Sequence, residues 1–298
     1  MTWPENMAVI IGIPWRWRKA ALPLTPRQSL LYDASLLTKS RLMTERYDIS
    51  LNTPAGQLTS AVEVPTGFVP VSAIVPMMRR LGEEAQALEE RRSAEAGRAI
   101  SCQKGCAACC RMLVPVSPPE AFALRDYVQA LPEAERTRIA QRLAVARTAL
   151  LARGLWKTLL DMSESANPPD DAALEPVNRA YYALQLPCAF LDQEVCTIYE
   201  QRPAACRELL VTSPAEWCRN PADHPVAALP VPVRIGPALS LLWGELTEQP
   251  PKLIPLATAL DWAERHHEDN QPRWQGTHIL DRALDKVWRF LSQAFQQK

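Results

Sequence analysis

Eight cysteines are the residues of this sequence whose type and spacing could do chemistry. All of them lie between positions 102 and 218. They form a first cluster (Cys102, Cys106, Cys109 and Cys110) and a second cluster (Cys188, Cys196, Cys206 and Cys218). Thiolates bind zinc and iron, and a structural zinc site or an iron–sulfur cluster commonly takes four cysteines. We therefore expect all eight cysteines to be metal ligands, and the fold to bring the two clusters together as one split site.

Two other uses of the thiols are weaker explanations. Buried inert thiols would not be grouped with the spacing CxxxCxxCC, and disulfides are rare in the cytoplasm, where we expect this protein. Spacing alone does not choose between zinc and iron. Eight cysteines fit two zinc sites, one polynuclear centre, or one to two iron–sulfur clusters, and these alternatives stay open.

The adjacent pair Cys109–Cys110 bears on the number of metals. Neighbouring side chains diverge, so two vicinal thiolates do not easily bind one ion in relaxed geometry. Either the two bind different metals, or one bridges, or one is held back as a reactive or exchange ligand. Lys104, Arg111 and Arg207 are candidates for offsetting the negative charge of the gathered sulfurs.

Composition limits the partners of the protein. The 298 residues carry 33 basic and 33 acidic side chains, so no global field attracts nucleic acid or an anionic membrane. Trp3, Trp15 and Trp17 alternate with basic residues, but we expect this segment to pack on the body. No apolar run approaches the roughly 18–20 residues of a membrane span, and no signal-peptide pattern is present. We expect a cytoplasmic protein without nucleic-acid or membrane partners; a protein partner or substrate stays open.

Three segments follow from the pattern along the chain. Residues 1–73 contain alternating stretches on either side of Thr53–Gly56, which predict a β-hairpin. Residues 74–224 form a helical, metal-binding cysteine-cluster domain, with helices expected at 74–98, from the capping box at Ser117 to 130, at 133–153 and at 174–184. Residues 225–298 are expected to wrap the body and to end in a helix over 277–296.

The predicted fold class is mainly α with a small β-hairpin element, a helical body held by the cysteine site. Strand–helix alternation is absent, and ten glycines leave little room for a phosphate-binding loop. Rossmann and barrel enzymes are therefore excluded.

The sequence around the second cluster predicts its local structure and the roles of several side chains. The sequence from Cys188 to Tyr199 predicts a small hairpin in which Cys188 and Cys196 face one another. Residues 201–209 predict a short helix that carries Cys206, with Pro203 at its start. Tyr199, Arg202 and Arg207 are expected to pack against the sulfurs or to neutralise them, rather than to react.

One spacing match is discounted. Cys102, Cys106 and Cys109 have the CxxxCxxC spacing of radical-SAM enzymes, which place an aromatic residue before the third cysteine, where this chain has Ala108. No barrel repeat follows. We do not expect a radical-SAM enzyme.

The double motif resembles a known family. The group CxxxCxxCC at 102–110, its continuation RMLVPVSPPEA, and the later Pro-Cys at 187–188 with CTIYExRPxxCR at 196–207 are similar to the YkgJ-type cysteine-cluster family, described as zinc- or iron-chelating. The resemblance covers roughly residues 100–218. It implies that seven cysteines are metal ligands (Cys102, Cys106, Cys109, Cys110, Cys188, Cys196 and Cys206), while Cys218 lies beyond the core pattern.

Three functions follow as alternatives. The first is a metal-binding protein in which zinc or iron, with an iron–sulfur cluster as a further option, is structural or is carried to a partner. The second is an iron–sulfur-dependent enzyme that modifies a protein, such as the lysine methylases among relatives of that family. The third is an interaction module that the metal merely holds together. No residue is assigned a catalytic role, and whether the protein is an enzyme stays open.

Overall fold

The fold is mainly helical. A computed structural model describes residues 16–19, 43–167, 170–221 and 223–296. The helices among these residues are α1 (Val75–Glu95), α2 (Pro118–Gln129), α3 (Glu133–Ala152), α4 (Leu155–Glu164), α5 (Asp171–Ala183), α6 (Ala204–Glu208), α7 (Ile235–Thr247), α8 (Leu256–Arg265) and α9 (Gly276–Gln296). The strands are β1 (Arg16–Lys19), β2 (Thr44–Thr53), β3 (Gly56–Pro65), β4 (Phe68–Val69), β5 (Pro115–Val116), β6 (Leu191–Asp192), β7 (Val195–Cys196), β8 (Ile254–Pro255) and β9 (Trp274–Gln275).

The predicted hairpin is confirmed. Strands β2 and β3 pair antiparallel through a tight turn, with Thr53 opposite Gly56. Strand β1, which the pattern did not predict, adds to the other edge of β2. Alternate residues such as Ile49, Leu51 and Val62 are buried, so the hairpin presents one apolar face to the helices. Trp3 and Trp15 lie outside the described residues.

Aromatic packing marks the centre of the core. Trp262 of α8 lies 5.3 Å from Phe122 of α2 and 6.2 Å from Trp243 of α7, measured between ring centroids. All three side chains are fully buried. One continuous apolar core joins these helices to the hairpin, to α1 and to Leu284 on α9. Helix packing and a half-buried sheet therefore share a single interior.

The sequence predicted most of these helices. Helices α1, α2, α3, α5, α6 and α9 are confirmed, with bounds that shift by a few residues. Gly97 and Gly154 have left-handed φ angles of 75° and 72° where α1 and α3 end. The capping box at Ser117 is also present.

Helices α7 and α8 were not predicted, since a wrapping chain was expected there. Most of α7 is buried, so it lacks the amphipathic stripe that signals a surface helix. No helix in the described part of the chain is long and apolar enough to cross a membrane.

Two pairs of two-residue strands hold connecting segments against the helical body. Strand β4 pairs with β9, and β5, which follows the first cysteine cluster, pairs with β8. The second ladder places the chain after the first cluster beside the start of α8, so the cluster is anchored to the core on its C-terminal side.

We predict that Gly276→Ala destabilises the protein by about 1–3 kcal/mol, the usual cost of overpacking. A Cβ atom at Gly276 would lie 2.0 Å from the backbone oxygen of Pro65, where α9 begins against β3. Urea denaturation measures the change in the free energy of unfolding. Gly67→Ala is the matched control, because Gly67 is exposed and has open space for a Cβ atom. Equal stability of the two variants would contradict this packing.

Candidate metal centre

The first cluster follows α1 in an irregular loop that is pinned to the segment before Cys218. The backbone N–H of Ser101 donates to the oxygen of Val211 over 2.9 Å, and the N–H of Val211 donates to the Cys102 sulfur over 3.3 Å. Gly105, with φ 94°, turns the chain in a conformation that favours glycine. A short 3-10 turn, Ala108–Arg111, then presents Cys109 and Cys110.

The second cluster is joined to the first through the backbone. The N–H of Cys188 donates to the oxygen of Cys110 over 2.8 Å. Cys188 lies before a small hairpin of β6 and β7, as predicted. The ladder pairs Cys196 with Leu191, so Cys188 and Cys196 are not opposite each other in it, although both line one pocket. The turn begins after Asp192, which moves Cys188 out of the paired strands.

Two arginines hold this hairpin against its surroundings. Arg111, next to Cys110, forms an ion pair of 2.7 Å with Glu194 in the hairpin turn. Arg142 of α3 donates to the Ala189 oxygen over 2.7 Å and lies 3.2 Å from Asp192. The hairpin that carries Cys196 is thus attached both to the first cluster and to the helical body.

Cys206 is presented by the five-residue helix α6, whose start is fixed by a buried carboxylate. Glu120 accepts hydrogen bonds from the backbone N–H and the hydroxyl of Ser117, over 3.1 and 2.7 Å. Its other oxygen accepts from the N–H of Ala204 over 2.7 Å. One side chain therefore caps α2, which follows the first cluster, and also α6, which carries a cysteine of the second.

Cys218 lies apart from the rest of the second cluster. It belongs to the 3-10 turn Ala215–Arg219 and is buried. Cys102 and Cys106 pack against it together with Val211 and Val226. The structure thus brings Cys218 to the first cluster, which the sequence spacing did not indicate.

Most of the cysteines meet at one pocket. Six of the eight line it: Cys106, Cys109, Cys110, Cys188, Cys196 and Cys206. Lys104, Tyr199 and Arg202 also line it. The Arg202 guanidinium stacks over the Tyr199 ring at 3.7 Å and Lys104 approaches the same ring at 5.2 Å. A ligand held in this pocket would face sulfur donors beside a cationic, aromatic edge.

The vicinal pair has unequal acidities. The thiol of Cys110 donates a hydrogen bond to Cys109, which lowers the pKa of Cys109 to about 7, and the positive charge of Arg202 acts in the same direction. That same hydrogen bond, followed by burial, raises the pKa of Cys110 far above its ordinary value. The two adjacent thiols therefore differ in how readily they ionise.

Burial opposes ionisation of five further thiols. It raises the pKa of Cys188 to about 11 and also raises the pKa values of Cys206, Cys196, Cys102 and Cys218. Negative charge on neighbouring cysteines adds to the effect at each of these thiols. A set of buried thiolates therefore needs positive charge at its centre.

Of the two arginines expected to neutralise the sulfurs, Arg202 acts on them and Arg207 does not. Arg202 favours ionisation of Cys109, Cys196 and Cys206. Arg207 instead pairs with Glu83 on α1 and donates to the oxygens of Arg202 and Glu200. The expectation for Arg207 is thus not met, because its guanidinium is engaged by Glu83 and by backbone oxygens.

The donor set fits a thiophilic metal. All eight cysteines are free thiols. Among the described residues, no three His, Cys, Asp or Glu side chains are already arranged to hold a metal ion. The fit therefore rests on the chemistry of the donors. More than four soft sulfur ligands come together from separate segments of the chain, and the neighbouring cations do not balance the charge that their thiolates would carry.

Glu120 and Arg142 were not predicted as parts of the site. Glu120 was recognised only as half of a capping box, and its contact with Ala204 spans 84 residues of sequence. Arg142 lies on an exposed helical pattern whose position above the hairpin depends on the tertiary fold. Sequence spacing carries no signal for either contact.

Comparison with known families finds a match over the stretch of chain that contains these cysteines. Residues 101–221 match the family described as "CxxCxxCC: Putative zinc- or iron-chelating domain". The match contains all eight cysteines, Cys218 included. Neither the curated proteins nor the solved structures include a match to the chain.

We predict that Glu120→Gln lowers the free energy of unfolding by about 1–3 kcal/mol, the usual cost of a buried donor left without its acceptor. Whichever way the amide turns, its NH₂ group faces the N–H of Ser117 or of Ala204. Urea denaturation of anaerobically purified protein measures the loss. Glu95→Gln, at an exposed glutamate near the end of α1, should stay within about 0.5 kcal/mol of wild type. A neutral Glu120→Gln would show that this carboxylate does not clamp the two helices.

Proposed function

We propose that this protein chelates zinc or iron through cysteines of both clusters, and that holding the metal is its function. The observation that carries the proposal is the shared pocket. Six free thiols reach it from three separate stretches of chain, namely the loop at 106–110, the segment 188–196 and helix α6. The match of residues 101–221 to a zinc- or iron-chelating family supports it.

Charge supports the same proposal. Burial and mutual repulsion oppose thiolates in this pocket, and the positive charge of Arg202 reaches only part of the set. A zinc or iron ion bound by these cysteines would supply the missing positive charge and crosslink the stretches that carry them. The cytoplasm, which keeps thiols reduced, is the compartment that suits such a site.

The metal would be structural or carried to a partner. Short elements hold the cysteines: a two-residue-strand hairpin, a five-residue helix and 3-10 turns. Such elements have little stability of their own, so their order depends on anchors such as Glu120 and Arg142 and, in this proposal, on the metal.

A second candidate is an iron–sulfur-dependent enzyme that modifies a protein, such as a lysine methylase. One observation favours it. The cysteine-lined pocket also contains Lys104, Tyr199 and Arg202, and Lys104 is exposed, so a substrate group could approach from the side of that lysine. A metal-stapled interaction module would need no such approach.

We expect anaerobically purified protein to contain near-stoichiometric zinc or iron. Cys106→Ser and Cys206→Ser should each lower the metal content, because each removes a donor from the pocket. Elemental analysis together with absorption spectroscopy measures metal and its identity. Charge-transfer absorbance that fades on reduction would favour the iron–sulfur enzyme, and colourless zinc protein would favour chelation alone.

The matched control is Gln103→Ser, an exposed position in the same loop without a sulfur. It should keep the wild-type metal content. The proposal is wrong if folded protein holds no transition metal while all eight thiols titrate as free.

A further inference from the structure

The eight cysteines divide into two groups by packing. Cys102, Cys106 and Cys218 lie together against Val211 and Val226, and we call them the Cys218 group. The other set lines the pocket and is called the Cys206 group: Cys110, Cys188, Cys196 and Cys206. Cys109 completes the eight.

Cys109 is close to both groups. It lines the pocket of the Cys206 group. The 3-10 turn that carries it, Ala108–Arg111, packs against the turn Ala215–Arg219 that carries Cys218, and the adjacent Ala108 lies in the same buried cluster as Cys218. The Cys109 sulfur therefore lies between the two groups, and Cys106, which lines the pocket as well, marks the same boundary.

The two groups differ in how many sulfur donors they supply without Cys109. A four-coordinate thiolate site takes four sulfurs. The Cys206 group supplies four by itself, whereas the Cys218 group supplies three. The Cys218 group reaches four only with Cys109, which is at the same time beside the other group.

We infer that the cysteines form two adjoining metal subsites, one at each group, and that the Cys109 sulfur is common to both. This inference rests on the proposed chelating function and adds the number of metals and the division of the ligands. A thiolate has several lone pairs and can bind two metal ions at once. The neighbouring Cys110 belongs to the second subsite, so the vicinal pair lies where the two subsites meet.

The backbone supports separate subsites. The Cys218 group is tied together by the contacts of Ser101 and Cys102 with Val211, and by Tyr182, whose hydroxyl donates to the Cys218 oxygen over 3.1 Å. The Cys206 group is tied by the bond from Cys188 to Cys110 and by Glu120 at α6. Loss of a ligand from one subsite should therefore leave the other assembled.

Anaerobic titration of the metal-free full-length chain with Co²⁺ tests the inference. Wild type should bind two equivalents, followed by the absorption of thiolate-bound Co²⁺. Cys218→Ser and Cys196→Ser should each retain one equivalent, and Gln103→Ser should retain two. Circular dichroism checks that each variant keeps its helical content.

The shared sulfur has its own readout. Two Co²⁺ ions joined by one thiolate couple their spins, so the EPR signal per cobalt should fall at the second equivalent of wild type. Cys109→Ser should retain one equivalent, at the Cys206 group, with an uncoupled signal. The loss of EPR intensity is measured on wild-type protein alone, so it tests the shared sulfur even if a variant does not fold.

Four outcomes overturn the inference. A single equivalent in wild type, or loss of all metal from both Cys218→Ser and Cys196→Ser while each remains folded, would contradict two subsites but leave chelation standing. Two equivalents with full, uncoupled EPR intensity would contradict the shared Cys109. No Co²⁺ binding at all would overturn the proposed function with it.

Discussion

The cost of bringing thiolates together in a partly buried place governs this structure. Each sulfur that loses a proton there gives up hydration and meets the charge of its neighbours. Burial raises the pKa values of Cys188 and Cys206, and a hydrogen bond to Cys109 together with burial raises that of Cys110. Arg202 offsets part of this charge. A cation that prefers sulfur, such as zinc or iron, would offset the remainder.

The helical body holds the cysteine-bearing segments in place. The cysteines lie on turns, a small hairpin and a five-residue helix, none of which would persist alone. Helix α1 precedes the first cluster and α2 follows it. Helix α3 holds the hairpin through Arg142, and Glu120 fixes the start of α6. Local order around the sulfurs is therefore imposed from the rigid core outward.

Sequence patterns predicted the parts of this fold that are encoded by residues close together in the chain. Alternation around Thr53–Gly56 identified the hairpin, and the capping box at Ser117 identified the start of α2, because both are encoded within a few residues. Helix α7 was missed, since its residues are apolar on nearly all sides and carry no period. The partnership of Cys218 with Cys102 was also missed, because it depends on the path of the chain through Val211 and not on spacing. The metal-binding character of residues 101–221 was readable from the cysteine pattern, whereas the division of the cysteines was not.

X-ray absorption at the metal edge of anaerobically purified protein tests the central claim most directly, because it reports which atoms surround the metal. We expect a first shell made of sulfur, at about 2.3 Å if the metal is zinc. A first shell dominated by nitrogen or oxygen would contradict it, since the metal would then be held somewhere other than among these cysteines.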